Sequence, residues 1–204
     1  MKIAVGGMIS SGKSTLVKNL GAALSIPVMD EFEDDDSVFD TLLGWLYEGK
    51  EDVEMLLQVY FLHHHWKTQL KHKDTVIVDR HIIEHWLFAQ KNLQHLPTIM
   101  TFYNSVFHNY MQTVIQPDLY IILDVNYETF KDRVFKRGRK QEVENFSKNK
   151  EYFKNLLSNY TELLKAQCVI YDIPYVVIDT NGKTSEEVLA ESLEHLGGHR
   201  NDKS

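Results

Sequence analysis

Apolar positions along the chain fall into two alternating rhythms. Short dense runs predict five strands: KIAVGG (Lys2–Gly7), IPVMDE (Ile26–Glu31), TVIVDR (Thr75–Arg80), LYIILDV (Leu119–Val125) and YVVIDT (Tyr175–Thr180). Several are nearly continuous in apolar residues, the pattern of a parallel strand covered on both faces. Between them lie longer stretches with helical spacing. This alternation predicts a layered α/β fold with a mostly parallel sheet.

The helical stretches carry end signals. TSEEVLAESLEHLGG sets Thr184 and Glu187 at capping-box spacing, and Gly197 predicts its stop. YETFKDRVFKRGR places Tyr127, Phe130 and Val134 on one face, with Arg133 and Arg137 sharing another. There are no internal repeats and no low-complexity linker, and the tail HRNDKS predicts a frayed end.

A chain of 204 residues with 43% hydrophobic content is expected to form one domain, residues 1–204, with a sizeable core. The formal net charge of −7 argues against a nucleic-acid footprint but allows a small basic site. Cys168 is the one cysteine, which fits a reducing compartment. The first strand begins at Lys2, and no apolar run approaches a membrane span. The expectation is a cytoplasmic protein without nucleic-acid or membrane partners.

Chemistry enters at GMISSGKS, Gly7 to Ser14, which fits G-x-x-x-x-G-K-[ST] between a predicted strand and a predicted helix. Backbone N–H groups must converge on phosphate oxygens there, and glycine allows the close approach. Gly7, Met8, Ile9, Ser10, Ser11, Gly12, Lys13, Ser14 and Thr15 are therefore expected to cradle the phosphates of ATP. Lys13 would reach the outer phosphates, the Ser14 hydroxyl would ligate Mg²⁺, and the following helix points its positive end at the anion. The motif identifies a nucleotide site, not a reaction.

Three further places are candidates for the acceptor side. Glu31 follows the second predicted strand, where ligands of open parallel sheets sit. It could take the proton of an attacking hydroxyl, or belong with Glu33–Asp36 to a solvated acidic loop. Asp79 and Arg80 close the third strand; they could hold Mg²⁺ and orient Glu31, or form a structural ion pair. Arg133, Arg137 and Arg139, with Gly138 among them, suggest a cationic lid over about residues 133–146, against the alternative of an exposed basic face. His63, His64 and His65 are neighbours on a predicted helix and point in different directions, a poor metal cluster.

Taken together, the phosphate loop, Glu31, LYEGK, QVYFL, DRHIIEHWLFA, QPDLYIILDV and RVFKRGRKQE occur in an order that resembles the deoxynucleoside kinase family over almost the whole chain. The resemblance implies a P-loop kinase fold with a five-stranded parallel sheet, helices on both faces, and a homodimer. It implies that Glu31 is the general base for the sugar 5′-hydroxyl, that Arg80 contacts that base and hydroxyl, and that Asp79 is the acidic partner of the metal. Tyr47 and Glu142 would hold the 3′-hydroxyl, Gln58 would read the nucleobase edge, and Arg133, Arg137 and Arg139 would be the lid arginines. Lys13 and Arg137 would stabilise charge on the moving phosphoryl group. The chain departs from the family where an arginine and an aspartate of the base pocket are replaced by His65 and His85, and where His81 replaces the serine after Arg80. Two histidines give a less charged base site near neutral pH.

The reading is transfer of the ATP γ-phosphoryl group to the 5′-hydroxyl of a deoxynucleoside, with a lean toward purines. One rival is a thymidylate-type nucleoside monophosphate kinase, whose phosphorylated acceptor calls for cations where this chain has the acidic run Asp30–Asp36. Another is a P-loop NTPase switch, although an Asn-Lys-x-Asp guanine motif is absent. A polynucleotide 5′-kinase conflicts with the acidic balance.

Overall fold

Strongly apolar strands pair in the interior, and all five predicted strands form. The computed structural model describes residues 1–30, 37–50, 53–71 and 75–201. Glu31 and the acidic run to Asp36 lie outside the described residues. The strands are β1 (Lys2–Gly7), β2 (Val28–Met29), β3 (Val76–Asp79), β4 (Leu119–Asp124) and β5 (Tyr175–Asp179). They form one parallel sheet in the order β2-β3-β1-β4-β5. The three central strands are almost wholly buried, which is why their sequences carry few polar residues.

The helices are α1 (Lys13–Leu24), α2 (Ser37–Glu48), α3 (Val53–Lys71), α4 (His85–Leu93), α5 (Pro97–Met111), α6 (Tyr127–Arg137), α7 (Lys140–Asn145), α8 (Lys150–Ile170) and α9 (Ser185–Asn201). Ile3 and Val5 face one layer with Leu16, Val17 and Leu20 of α1 and Val188 and Leu196 of α9. Ala4, Val78 and Ile122 face the opposite layer, with core residues of α2 to α6 and α8. Alternate residues of the central strands thus serve two cores.

Two elements differ from the sequence reading by more than one residue at an end. The second strand spans Val28–Met29, without the Ile26, Pro27 and Asp30 that the sequence reading included. It is an edge strand, and Pro27 has no N–H to give; its carbonyl accepts from Ile77 N at 3.0 Å. The last helix runs through Gly197 to Asn201 instead of stopping. Leu196 is docked in the core just before that glycine, so packing outweighs the glycine signal. The expected capping box forms at its start: Thr184 N donates to Glu187 Oε2 at 2.8 Å, and Glu187 N donates to Thr184 Oγ1 at 3.3 Å.

At the end of β1 the backbone must pass buried side chains at close range. A Cβ on Gly6 would sit 2.4 Å from the Tyr120 ring and 2.5 Å from Glu84 Oε1. Gly7 has φ +141°, and a Cβ there would sit 2.5 Å from the Leu123 carbonyl. Both neighbours are fixed, so a Gly6→Ala variant is expected to lose about 1–3 kcal/mol of stability as an overpacked core. Thermal unfolding of the variant beside the parent measures it.

Candidate active site

The parallel sheet brings its carboxyl ends to one rim, and register decides what meets there. Val5 of β1 pairs with Asp79 of β3 and Gly7 pairs with Leu123 of β4. Arg80 N then donates to Val5 O at 2.9 Å, so the acid–arginine pair emerges beside the start of the phosphate loop. Arg80 has φ +69°, a left-handed backbone that a non-glycine residue adopts at a cost of about 1–3 kcal/mol.

A buried carboxylate that sequence reasoning passed over compensates for that strain. Glu84 is fully buried and accepts from Gly7 N at 3.0 Å, from Arg80 Nη1 at 2.7 Å, and from the hydroxyls of Tyr120 and Tyr160. Arg80 Nη1 also donates to Tyr160 Oη at 2.6 Å, and its guanidinium lies 5.1 Å over the Phe88 ring. The available signal was a glutamate one helical turn after Arg80, inside the apolar run HIIEHWLFA. Such a charge in such a place needs a partner.

Two cavities meet at the phosphate loop. One, of about 490 Å³, is lined by Ile9, Lys13, Ser14, Asp30, Tyr47, Gln58, Asp79, Arg80, His85, Arg137, Arg139 and Glu142, among others. The other, of about 460 Å³, is lined by Ser10, Ser11, Gly12, Lys13, Ser14, Thr15, Arg133, Lys136 and Arg137, and by Thr180–Ser185 residues after β5. Lys13, Ser14 and Arg137 line both. The candidate site residues among the described ones therefore converge on one region, save Gly7 and Met8, which line neither cavity. Met8 O accepts from Lys13 Nζ and from Ser11 N, each at 3.1 Å.

The arginines divide their tasks. Arg133 and Arg137 were expected on one helix face, yet they reach different partners. Arg133 donates to Ser11 O at 3.0 Å and to Thr180 O at 2.8 Å, tying the loop to the end of β5. Arg137 and Arg139 flank the Gly138 turn and both hold Glu142, Arg139 at 3.2 Å. Glu142 itself is buried, and its charge acts on Tyr47. Burial chiefly, then Tyr152 and Glu142, hold the Tyr47 hydroxyl well above its ordinary pKa, so it is a neutral donor.

His85 lines the first cavity, and its Nε2 lies 2.8 Å from His65 Nδ1 behind it in the chain's interior. Both rings are buried, and burial, which disfavours the charged imidazolium, is the main cause that lowers both pKa values, that of His65 to about 3. Arg80 adds to the effect in each case. His81 is likewise held neutral by burial, and its Nδ1 accepts from Ile83 N at 3.4 Å. No group of three or more metal-ligating side chains occurs among the described residues.

Comparison with known proteins gives one consistent set. The sequence model described as deoxynucleoside kinase matches residues 3–196. An uncharacterised protein of Mycoplasma pneumoniae is 36% identical, over 95% of this chain and 88% of its own. A deoxyguanosine kinase of Lactobacillus johnsonii is 33% identical, over 78% of this chain and 74% of its own. The structure of deoxyadenosine kinase from M. mycoides, with the products dCMP and a flexible dCDP bound, superposes with a TM-score of 0.81. It is 26% identical and covers 97% of this chain and 99% of that one.

Two outcomes are expected. A Glu84→Gln variant breaks the buried Arg80–Glu84 ion pair and should lose about 3–5 kcal/mol in denaturant unfolding. The buried histidines set an acid limit. Unfolded histidine binds its proton near pH 6.5 and folded His65 only near 3, so the unfolded state binds more protons between those values. Their contribution is complete above about pH 6.5 and is lost as pH falls toward 3. The thermal midpoint should drop between pH 7 and pH 5, and less so in a His65→Asn variant.

Proposed function

This chain belongs to the deoxynucleoside kinase family and acts as an ATP-dependent deoxynucleoside kinase, and from that premise we propose how its residues divide the work. The observation that carries the proposal is the pair of cavities sharing Lys13, Ser14 and Arg137. A triphosphate laid along the loop in one cavity would present its terminal phosphoryl group at the shared residues. A nucleoside in the other would bring its 5′-hydroxyl to the same place. Phosphoryl transfer is mostly positioning and charge stabilisation, and this arrangement supplies both.

On the donor side, backbone N–H groups from Ser10 to Thr15 and the start of α1 hold the phosphates. Lys13 and Arg137 neutralise charge that builds on the equatorial oxygens. Ser14 and Asp79 line the acceptor cavity beside Lys13, and hydroxyl and carboxylate oxygens are the hard donors that Mg²⁺ takes. Mg²⁺ held there would neutralise the phosphate oxygens.

On the acceptor side, Tyr47 and Glu142 suit the sugar 3′-hydroxyl, one as donor and one as acceptor. Gln58 and His85 suit the base, a purine by preference. Glu31 follows Asp30, which lines the cavity, and is assigned the proton of the 5′-hydroxyl. That oxygen bonds to the γ-phosphorus, the bond to the β-phosphate oxygen breaks, and ADP leaves. Arg80, fixed by Glu84, orients the hydroxyl and its base. A single domain with a lid over residues 133–146, working as a cytoplasmic homodimer, completes the proposal.

A Glu31→Gln enzyme is expected to keep its ATP affinity and to lose about 10²–10⁴-fold in turnover. Steady-state rates with ATP titration measure both, and near-parental turnover would remove Glu31 from this role. A deoxynucleoside should be a far better acceptor than its monophosphate, which separates this reading from a monophosphate kinase.

A further inference from the structure

Behind the nucleoside cavity runs a chain of hydrogen bonds whose direction is set at its outer end. Burial lowers the Lys2 pKa to about 8, so at pH 7 its Nζ is an ammonium that can only donate; it gives one bond to Ile115 O at 2.9 Å and one to Gln69 Oε1 at 3.5 Å. The Arg80 carbonyl can only accept, and it takes Gln69 Nε2 at 3.3 Å. These two neighbours fix the Gln69 amide. A flipped amide would set oxygen against oxygen and nitrogen against the ammonium group.

The rest follows by counting protons. Gln69 Nε2 lies 3.0 Å from His65 Nε2, so that ring nitrogen accepts. A neutral imidazole carries one N–H, which in His65 must therefore be on Nδ1. His65 Nδ1 lies 2.8 Å from His85 Nε2, which accepts in turn. His85 is then left with its proton on Nδ1, the nitrogen on the opposite side of the ring from His65. His85 lines the nucleoside cavity, whereas His65, Gln69 and Lys2 do not. Burial keeps both rings neutral, so the counting holds at neutral pH.

Gln58 shares that cavity, and its Oε1 is buried with no partner among the described residues. An amide can pair with an amino base, accepting from the amine and donating to the ring nitrogen. Turned over, it pairs equally well with an oxo base. Gln58 therefore binds a base edge without choosing between the two kinds.

We propose that the Lys2–Gln69–His65 chain holds His85 as a hydrogen-bond donor through Nδ1, and that this donor selects 6-oxopurine deoxynucleosides. The inference rests on the kinase reading of the same cavity. Guanine and hypoxanthine offer O6 and N7 side by side as two acceptors. Adenine keeps N7 but turns an amine toward the donor. Cytosine likewise turns an amine toward the donor, and it has no N7. The expected order is deoxyguanosine and deoxyinosine, then deoxyadenosine, then deoxycytidine. His85 is the specificity-determining contact, and His65, Gln69 and Lys2 are positioning residues.

The test is kcat/KM for these four deoxynucleosides with ATP, together with a long-range ¹H–¹⁵N spectrum of the histidine rings in the full chain. The 6-oxopurines should lead deoxyadenosine by about tenfold or more, the scale of a buried donor left facing another donor. Deoxyinosine should keep that lead, because it lacks the 2-amino group and isolates O6. The spectrum should show His65 and His85 both as Nδ1–H tautomers. His85→Asp, which can only accept when ionised, should move the preference toward deoxyadenosine and deoxycytidine. Gln69→Leu should narrow the deoxyguanosine-to-deoxyadenosine ratio without changing KM for ATP. Equal or better use of deoxyadenosine or deoxycytidine by the parent, or an Nε2–H tautomer at His85, overturns the proposal. Phosphorylation of none of the four overturns the kinase reading itself, while the tautomers still decide the direction of the chain.

Discussion

The ion pair between Arg80 and Glu84 is the contact on which the site depends. It is buried on both sides, joins the end of β3 to the turn before α4, and reaches Gly7 through the backbone N–H. A buried charge pair does not in itself make a protein more stable, because desolvation offsets much of the attraction. Its value here is geometric. Four donors converge on one carboxylate, and each comes from a different part of the fold: β1, the end of β3, β4 and α8. The strained backbone at Arg80 persists because the side chain is over-determined from the other end.

Much of the architecture was legible because its signals are local. The five apolar runs gave the sheet, GMISSGKS gave the loop, and Thr184 with Glu187 gave the start of α9. Signals that depend on distant packing were not legible. Glu84 looked like a polar interruption of an apolar run, and its partners lie on β4 and α8, far away in sequence. The continuation of α9 past Gly197 depends on where Leu196 docks. The replacement of the family's charged pair by His65 and His85 was visible; their mutual contact needed the fold.

The shape of the site explains why a deoxynucleoside kinase can be built with little covalent machinery. Shared lining by Lys13, Ser14 and Arg137 makes one point the end of two cavities. Arg137 and Arg139 rest on Glu142, so the carboxylate proposed for the sugar also steadies the arginines proposed for the phosphate. Acceptor and donor sides are thereby set against each other by contacts that span a few residues on either side of one turn.

Strand β1 carries two messages at once. Its first residue, Lys2, starts the bond chain that ends at His85, and its last, Gly7, opens the phosphate loop. A six-residue strand is about 20 Å long, so one stiff segment connects the start of that bond chain to the glycine-rich loop. On the proposed assignments, taste for a base and grip on a phosphate are inherited together. A chimera that borrowed this opening strand from a cousin would import both traits or spoil both.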